Sequence, residues 1–230
     1  MQVSIEQIRY YSPWFARLNP ISQQQLMAGA CYRQLAPGER LFDRGAKFDG
    51  IYLILNGTLL ISGLHRSGKE ALLTIVSRGD WFGEIALFDQ QSRTHDATAS
   101  SQVALYHFPA AFLHQLLQQH AEWWQLFGQL LTQKLRLAFA ALEDISLQPA
   151  SVRLARRLLQ LSQWPNEMTQ RVIPIQQEQL GQLLSLSRQT TNQLLQQFAQ
   201  QGAIKIAYAS IELTNIELLL QLAATDEFNH

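Results

Sequence analysis

Glu84 and Arg93 are opposite charges in one stretch, Trp81 to Ala99, and their setting limits what they can do. Gly83 directly precedes the acid. Ile85 to Phe88 is a short apolar segment, and Asp89 to Ser92 is polar. After the arginine, Ala97 and Ala99 alternate with polar neighbours, as in a strand. A glycine, a short helical turn with free N–H groups and then an arginine make an anion cradle. The amides point at a phosphate, and the guanidinium grips its oxygens in a fork. Glu84 would repel a phosphate. Beside such a cradle, its carboxylate makes sense as an acceptor for a sugar hydroxyl. The competing reading is a surface turn between strands, carrying two solvated charges.

The stretch resembles the phosphate-binding cassette of cyclic-nucleotide-binding domains, F-G-E-x-A-L-x-x-x-x-x-R-[ST]. Phe82, Gly83, Glu84, Ala86, Leu87, Arg93 and Thr94 carry the match. The resemblance implies an effector pocket built from Gly83, Glu84, Ile85, Ala86, Arg93 and Thr94. Glu84 would take a ribose 2′-hydroxyl and Arg93 a cyclic phosphate, which makes cyclic AMP or cyclic GMP the candidate cofactor.

A second group of polar side chains lies between Gln176 and Gly202. A first short helix near Gln177 to Leu184 buries Leu180, Leu183 and Leu184. Ser187 is placed to cap a second. That second helix buries Thr191, Leu194, Leu195 and Phe198, and its opposite face carries Arg188, Gln189, Asn192, Gln193 and Gln196. Arginine forks onto guanine, and Gln or Asn onto adenine, so this face suits base edges in a major groove. Ile204 to Ile206 and Ile211 to Leu213 then read as a small hairpin, the wing of a winged helix. The expected DNA-binding residues are Ser187, Arg188, Gln189, Thr190, Asn192, Gln193 and Lys205. A glutamine-rich solvated face is the plain alternative.

The elements that must position these groups can be read coarsely. Residues 10 to 35 read as short helices, with Cys31 as a small buried residue in the apolar pattern. Pro37-Gly38 marks a turn. From Glu39 to Phe108, short β-rich runs punctuated by glycines suggest a sandwich or roll. Asn56-Gly57 and Ser67-Gly68 are hairpin candidates. Glu122 to Ile145 is a long helix whose Trp124, Gly128, Leu131, Leu135, Ala138, Leu142 and Ile145 follow an a/d spacing. Leu130, Leu137 and Phe139 are expected to pack on their own domain, leaving the seam for a second copy. Gln148-Pro149 breaks the helix as a hinge. The expected fold is α+β: an effector-sensing antiparallel β-roll with N-terminal helices (1–121), a dimerisation helix (122–147) and a winged helix-turn-helix (148–230).

Together these motifs resemble the Crp/Fnr family of bacterial transcription regulators over about residues 12 to 222. The resemblance implies a cyclic-nucleotide-binding-like double-stranded β-helix, a homodimer, double-stranded DNA with a pseudo-palindromic operator, and RNA polymerase as a partner. The chain departs from the family in several places. Cyclic-AMP-binding members place a Thr-Ser pair on the dimer helix against the adenine; the matching positions are Ala138 and Phe139, which cannot hydrogen-bond the base. His95 follows the cassette where small apolar residues are usual, as a ligand contact, a pH-sensitive group or a strand residue. Gln189 and Gln193 stand where Glu and Arg are frequent, and Ser185 replaces a glycine at the helix joint. From Ala150 on, Arg153, Arg156, Arg157, Arg171, Arg188 and Lys205 are balanced by Glu167, Glu178, Glu212, Glu217, Asp226 and Glu227, so a shallow salt dependence is expected.

Composition bounds the rest. The 230 residues carry 18 basic and 18 acidic side chains and one cysteine. One cysteine excludes an intrachain disulfide and an iron–sulfur cluster. Haem would need axial ligands; His65, His107, His114 and His120 are candidates by type alone. There is no metal-ligand spacing, nucleophile elbow or P-loop, so no enzyme is expected. No apolar run is long enough for a membrane helix, and the start lacks a signal-peptide pattern, so the expected location is cytoplasmic. The alternative of a different class is a cyclic-nucleotide-binding signalling module whose C-terminal helices bind protein.

Overall fold

In the computed structural model, which describes residues 3–64, 70–162 and 171–224, short capped helices open the chain. In α1 (Ile5–Tyr11) the Ser4 hydroxyl accepts from the Gln7 amide, and Gln7 returns the bond to Ser4. Next come α2 (Pro13–Ala16) and α3 (Pro20–Met27), each with proline in its first turn. The Asn19 side chain caps α3.

The period then changes earlier than the sequence suggests. Cys31–Leu35 is a strand, β1, and not helix. It is the edge strand of its sheet, so only Leu35 is fully buried and the run carries no alternation to reveal it. Cys31 is accordingly exposed, which corrects its reading as a buried residue.

Strands β2 (Arg40–Phe42), β3 (Gly50–Asn56), β4 (Thr58–Leu64), β5 (Glu70–Ser77), β6 (Trp81–Phe82), β7 (Asp96–Ala99) and β8 (Val103–Pro109) complete two four-stranded antiparallel sheets. Their orders are β1-β8-β3-β6 and β2-β7-β4-β5. All eight strands contribute to one core, including Leu35, Leu41, Tyr52, Ile54, Leu59, Val76, Phe82, Ala97 and Leu105. This is the expected β-roll. β3 is apolar along nearly its whole length because both faces are covered. Tyr52 and Ile54 face the roll core. Behind the same sheet, Trp81 packs on Trp14, Phe15 and Phe108.

Asn56-Gly57 is not a hairpin. β3 and β4 belong to different sheets, so the pair carries the chain across from one to the other. Gly57 does adopt φ +83, and an added Cβ would sit 2.2 Å from the Gln102 carbonyl oxygen. β4 and β5 pair out to Leu64 and Glu70. Ser67-Gly68, like His65, lies outside the described residues.

One helical turn, α4 (Ile85–Asp89), interrupts the roll, and α5 (Ala110–Gln119) follows it. The long helix α6 (Glu122–Leu147) buries Trp123, Phe127 and Leu130. Contacts divide the chain into units Met1–Arg136 and Leu137–His230. The second unit contains α7 (Ala150–Ser162), β9 (Val172–Ile173), α8 (Gln177–Leu183), α9 (Arg188–Gln200), β10 (Ile204–Ala207), β11 (Ser210–Leu213) and α10 (Ile216–Ala224). Its sheet runs β10-β11-β9. Among the described residues no helix is long and apolar enough to cross a membrane.

Candidate effector site and DNA-binding face

Both cassette charges are buried. Glu84 is 2 % exposed and Arg93 4 %. This excludes the reading of two solvated surface charges. Gly83 holds φ +90, and a Cβ there would lie 2.7 Å from Arg93 Nη1. The glycine therefore allows the guanidinium to lie against the backbone. Ala86 and Leu87 are buried in the core, whereas Ile85 and Thr94 are exposed.

The partners of these charges leave no trace in residue spacing. Arg93 Nη1 donates to the Gly83 carbonyl at 2.8 Å. Nη2 donates to the Gly50 carbonyl at 2.6 Å and to Asp49 Oδ1 at 2.5 Å. The rings of Phe42, Phe48 and Tyr52 surround the guanidinium, with Phe42 closest at 4.4 Å. Among the described residues the buried Arg93 Nε has no partner. Glu84 Oε2 accepts from Lys134 Nζ, on α6, at 2.7 Å.

Asp49 is held from three sides. Besides Arg93, the Tyr52 hydroxyl donates to Oδ2, and His107 Nε2 is 3.7 Å from the same oxygen. Burial opposes ionisation of this carboxyl. The Tyr52 and Arg93 hydrogen bonds and the Arg93 charge outweigh it and hold Asp49 below its ordinary value of 3.8. Its contribution to stability is thus present above that value and lost as pH falls through the lower native one. Burial, then Asp49, pushes the Tyr52 phenol up, so it remains a donor. The loop bearing Asp49 is itself clamped to the cassette. Gly45 N donates to the Arg93 carbonyl, and Arg93 N to the Ala46 carbonyl, each at 2.8 Å.

His95 precedes β7, and burial, reinforced by Arg44 and opposed by Asp96, lowers its pKa from the ordinary histidine value. A groove of about 760 Å³ opens beside the cassette, lined in part by Lys47, Phe48, Gln91, His114 and Trp124. Neither Glu84 nor Arg93 lines it.

Along α6 the seam divides. Trp124 is exposed but touches the Phe88 ring at 5.7 Å. Gly128 and Leu131 are half-buried, and Leu135, Ala138, Leu142 and Ile145 are exposed. Leu130 is buried as expected. Leu137 and Phe139 are exposed, contrary to the expectation that they pack on their own domain. In this stretch the helix carries exposed apolar side chains around much of its circumference.

The helix pair α8–α9 is fixed by local chemistry. Leu186 N donates to the Gly181 carbonyl and Ser185 N to the Gln182 carbonyl, at 2.9 and 3.1 Å, the two bonds of a Schellman stop. Ser185 takes the left-handed position of this motif at φ +54, where glycine would be unstrained. Ser187 Oγ accepts from Thr190 N at 3.0 Å and caps α9. The Thr190 hydroxyl also pairs with Ser187, at 2.8 Å, so both hydroxyls serve the cap. Gly181 lets the helices close, since a Cβ would lie 2.8 Å from Thr191 Oγ1. α9 buries Thr191, Leu195 and Phe198, while Arg188, Gln189, Asn192 and Gln193 are exposed. In the wing, Lys205 is exposed opposite Glu212, and Tyr208 at the tip is fully exposed. Ser185→Gly should stabilise the chain by roughly 0.5–1 kcal/mol, because relief of left-handed strain exceeds the added unfolded-state entropy. Denaturant unfolding monitored on the second unit would read it, and a loss of stability would contradict it.

Two family models match the chain. Residues 32–120 match the cyclic nucleotide-binding domain and residues 152–222 the Crp-like helix-turn-helix domain. The chain is 30% identical over 203 residues to the CRP-like cAMP-activated global transcriptional regulator of Mycobacterium tuberculosis, covering 84% of this chain and 91% of that protein. It is 29% identical to the transcriptional regulator SdrP of Thermus thermophilus, covering 76% and 84%. A CRP/FNR-family regulator structure from Thermus thermophilus superposes with a TM-score of 0.68 at 26% identity, over 84% and 98% of the two chains. The structure of FixK2 from Bradyrhizobium japonicum shares the fold, with a TM-score of 0.76 at 18% identity, over 86% and 98%.

Proposed function

Since the chain belongs to the Crp/Fnr family of transcription regulators, we propose that it works as a homodimer that reads a pseudo-palindromic operator with α9 and senses a small anion in its β-roll. The observation that carries this reading is the exposed Arg188–Gln189–Asn192–Gln193 face on a helix whose start is fixed by the Ser187 cap. Such a helix enters a major groove without first paying to order its own end. Ser187, Thr190 and Lys205 would add phosphate contacts at its flank, and RNA polymerase is the partner such a regulator addresses. The dimer would form along the exposed part of α6, and the break at Gln148-Pro149 would pass its state to α9.

Relatives of this chain are named as cAMP-activated, and a cyclic nucleotide is the first effector class to try in the pocket of Gly83, Glu84, Ile85, Ala86, Arg93 and Thr94. Against a simple transfer stands the engagement of both cassette charges by Asp49 and Lys134. Arg188→Ala should weaken binding to the selected operator by about 1–3 kcal/mol and relax the preference at one base pair. Competition with unrelated DNA at fixed salt measures this. A uniform loss on all sequences would assign Arg188 to the backbone instead.

A further inference from the structure

We propose that Asp49 is a built-in anion of the effector site, so that any external anion must displace it from Arg93 before it can bind. The inference rests on reading the β-roll as the sensing module, and it concerns which ligands that module admits.

A free cradle would offer the edge of the Arg93 guanidinium to a phosphate. Here Nη2 is shared by Asp49 and the Gly50 carbonyl, and Nη1 donates to the Gly83 carbonyl. The carboxylate therefore holds the place a phosphate oxygen would take. Nor is its position casual. The Tyr52 hydroxyl fixes the second carboxylate oxygen, and the Gly45–Arg93–Ala46 backbone clamp fixes the loop. Tyr52 is held in turn between the rings of Phe82 and His107, at 5.2 and 4.9 Å. The second cassette charge is closed in the same way, with Lys134 on Glu84. The four charges neutralise one another, so the site does not demand a counter-ion.

Exchange is still possible. Asp49 is about half exposed and can swing into solvent, whereas Arg93 cannot. Among the described residues Arg93 Nε has no acceptor. An incoming phosphate monoanion would gain that donor and the Nη2 position together. Asp49 thus acts as a competitor of fixed, high local concentration. If it occupies Arg93 in about nine molecules of ten, the apparent dissociation constant of an anion is raised about tenfold. Ligands that bring only a phosphate are screened out, and selectivity passes to whatever else the ligand contacts.

The test is calorimetric titration and thermal unfolding with inorganic phosphate, cyclic AMP and cyclic GMP, at constant ionic strength. Wild type is compared with Asp49→Asn and Tyr52→Phe; the latter keeps the carboxylate but removes its anchor. At least one of the three anions should bind Asp49→Asn about tenfold or more tightly than wild type, with Tyr52→Phe between them. The gain should vanish in Asp49→Asn combined with Arg93→Gln. Equal or weaker anion binding in both single variants, or no anion response in either, overturns the proposal. If Asp49→Asn fails to fold, Tyr52→Phe alone decides it. DNA takes no part in these measurements, so their failure is separate from a failure of the DNA-binding reading.

Discussion

Glutamate at both Leu135 and Leu142 is expected to break the proposed dimer into monomers, raising its dissociation constant by about three orders of magnitude or more. These residues are 51% and 59% exposed in the isolated chain, and Ile145, next on the seam, is 45% exposed. Covering half of a Leu or Ile side chain contributes roughly 1 kcal/mol. Three such positions in each of two copies contribute roughly 6 kcal/mol, before Leu131, Ala138 and Phe139 are considered. Association must also overcome at least about 4 kcal/mol of lost freedom, so the seam cannot spare much. The glutamates remove part of this and set like charges against each other in a site that must be desolvated, which costs several kcal/mol more. Because both positions face solvent in the single chain, each unit should still fold. Sedimentation of wild type and variant over a range of concentrations reads the outcome. A variant that remains a dimer would move the interface elsewhere, and a monomeric wild type would remove it. Operator affinity should fall along with the dimer, since one α9 alone reads only a half-site.

The α8–α9 pair was legible because everything that fixes it is local: the Ser187 cap, the apolar face through Leu195 and Phe198, and the exposed face between them. Most roll strands were legible from their short apolar runs. β1 was not, because an edge strand with one fully buried side chain has no period to detect. Asn56-Gly57 misled for another reason. The dipeptide reports a positive φ at glycine, which is present, but not which sheet the next strand joins. At the cassette, Gly83, Glu84 and Arg93 stood out by spacing. Their partners could not, since Asp49 and Lys134 lie 44 and 50 residues away along the chain. Leu137 and Phe139 read as domain core because an apolar helical residue is usually covered by its own chain. Their exposure instead widens the surface that a second copy would cover.

Lys134→Ala should strongly destabilise the first unit. It would leave Glu84, 2 % exposed, as a buried carboxylate without its cation. Removing one member of a buried pair costs about 3–5 kcal/mol when both are desolvated. The Lys134 side chain is 35% exposed, so water replaces part of what is lost and about 2–3 kcal/mol is expected. For a chain of this size that lowers the unfolding temperature of the first unit by roughly 5–10 °C. The pH dependence identifies the cause. Without Lys134 the buried carboxylate of Glu84 has no counter-charge, so the penalty falls on its ionised form. The gap between wild type and variant should therefore be smaller in acid than at neutral pH. Glu84→Gln in the same background should recover much of the loss, as an amide costs far less to bury than a carboxylate. A gap that does not change with pH would mean that Lys134 acts through packing alone. If the pH dependence holds, the ion pair has a second consequence. A ligand that claims Glu84 must release Lys134, and Lys134 lies on the helix that carries the exposed seam onward from Leu135. The ligand would then meet different contacts in the two states of α6, the condition for any effector to shift their balance.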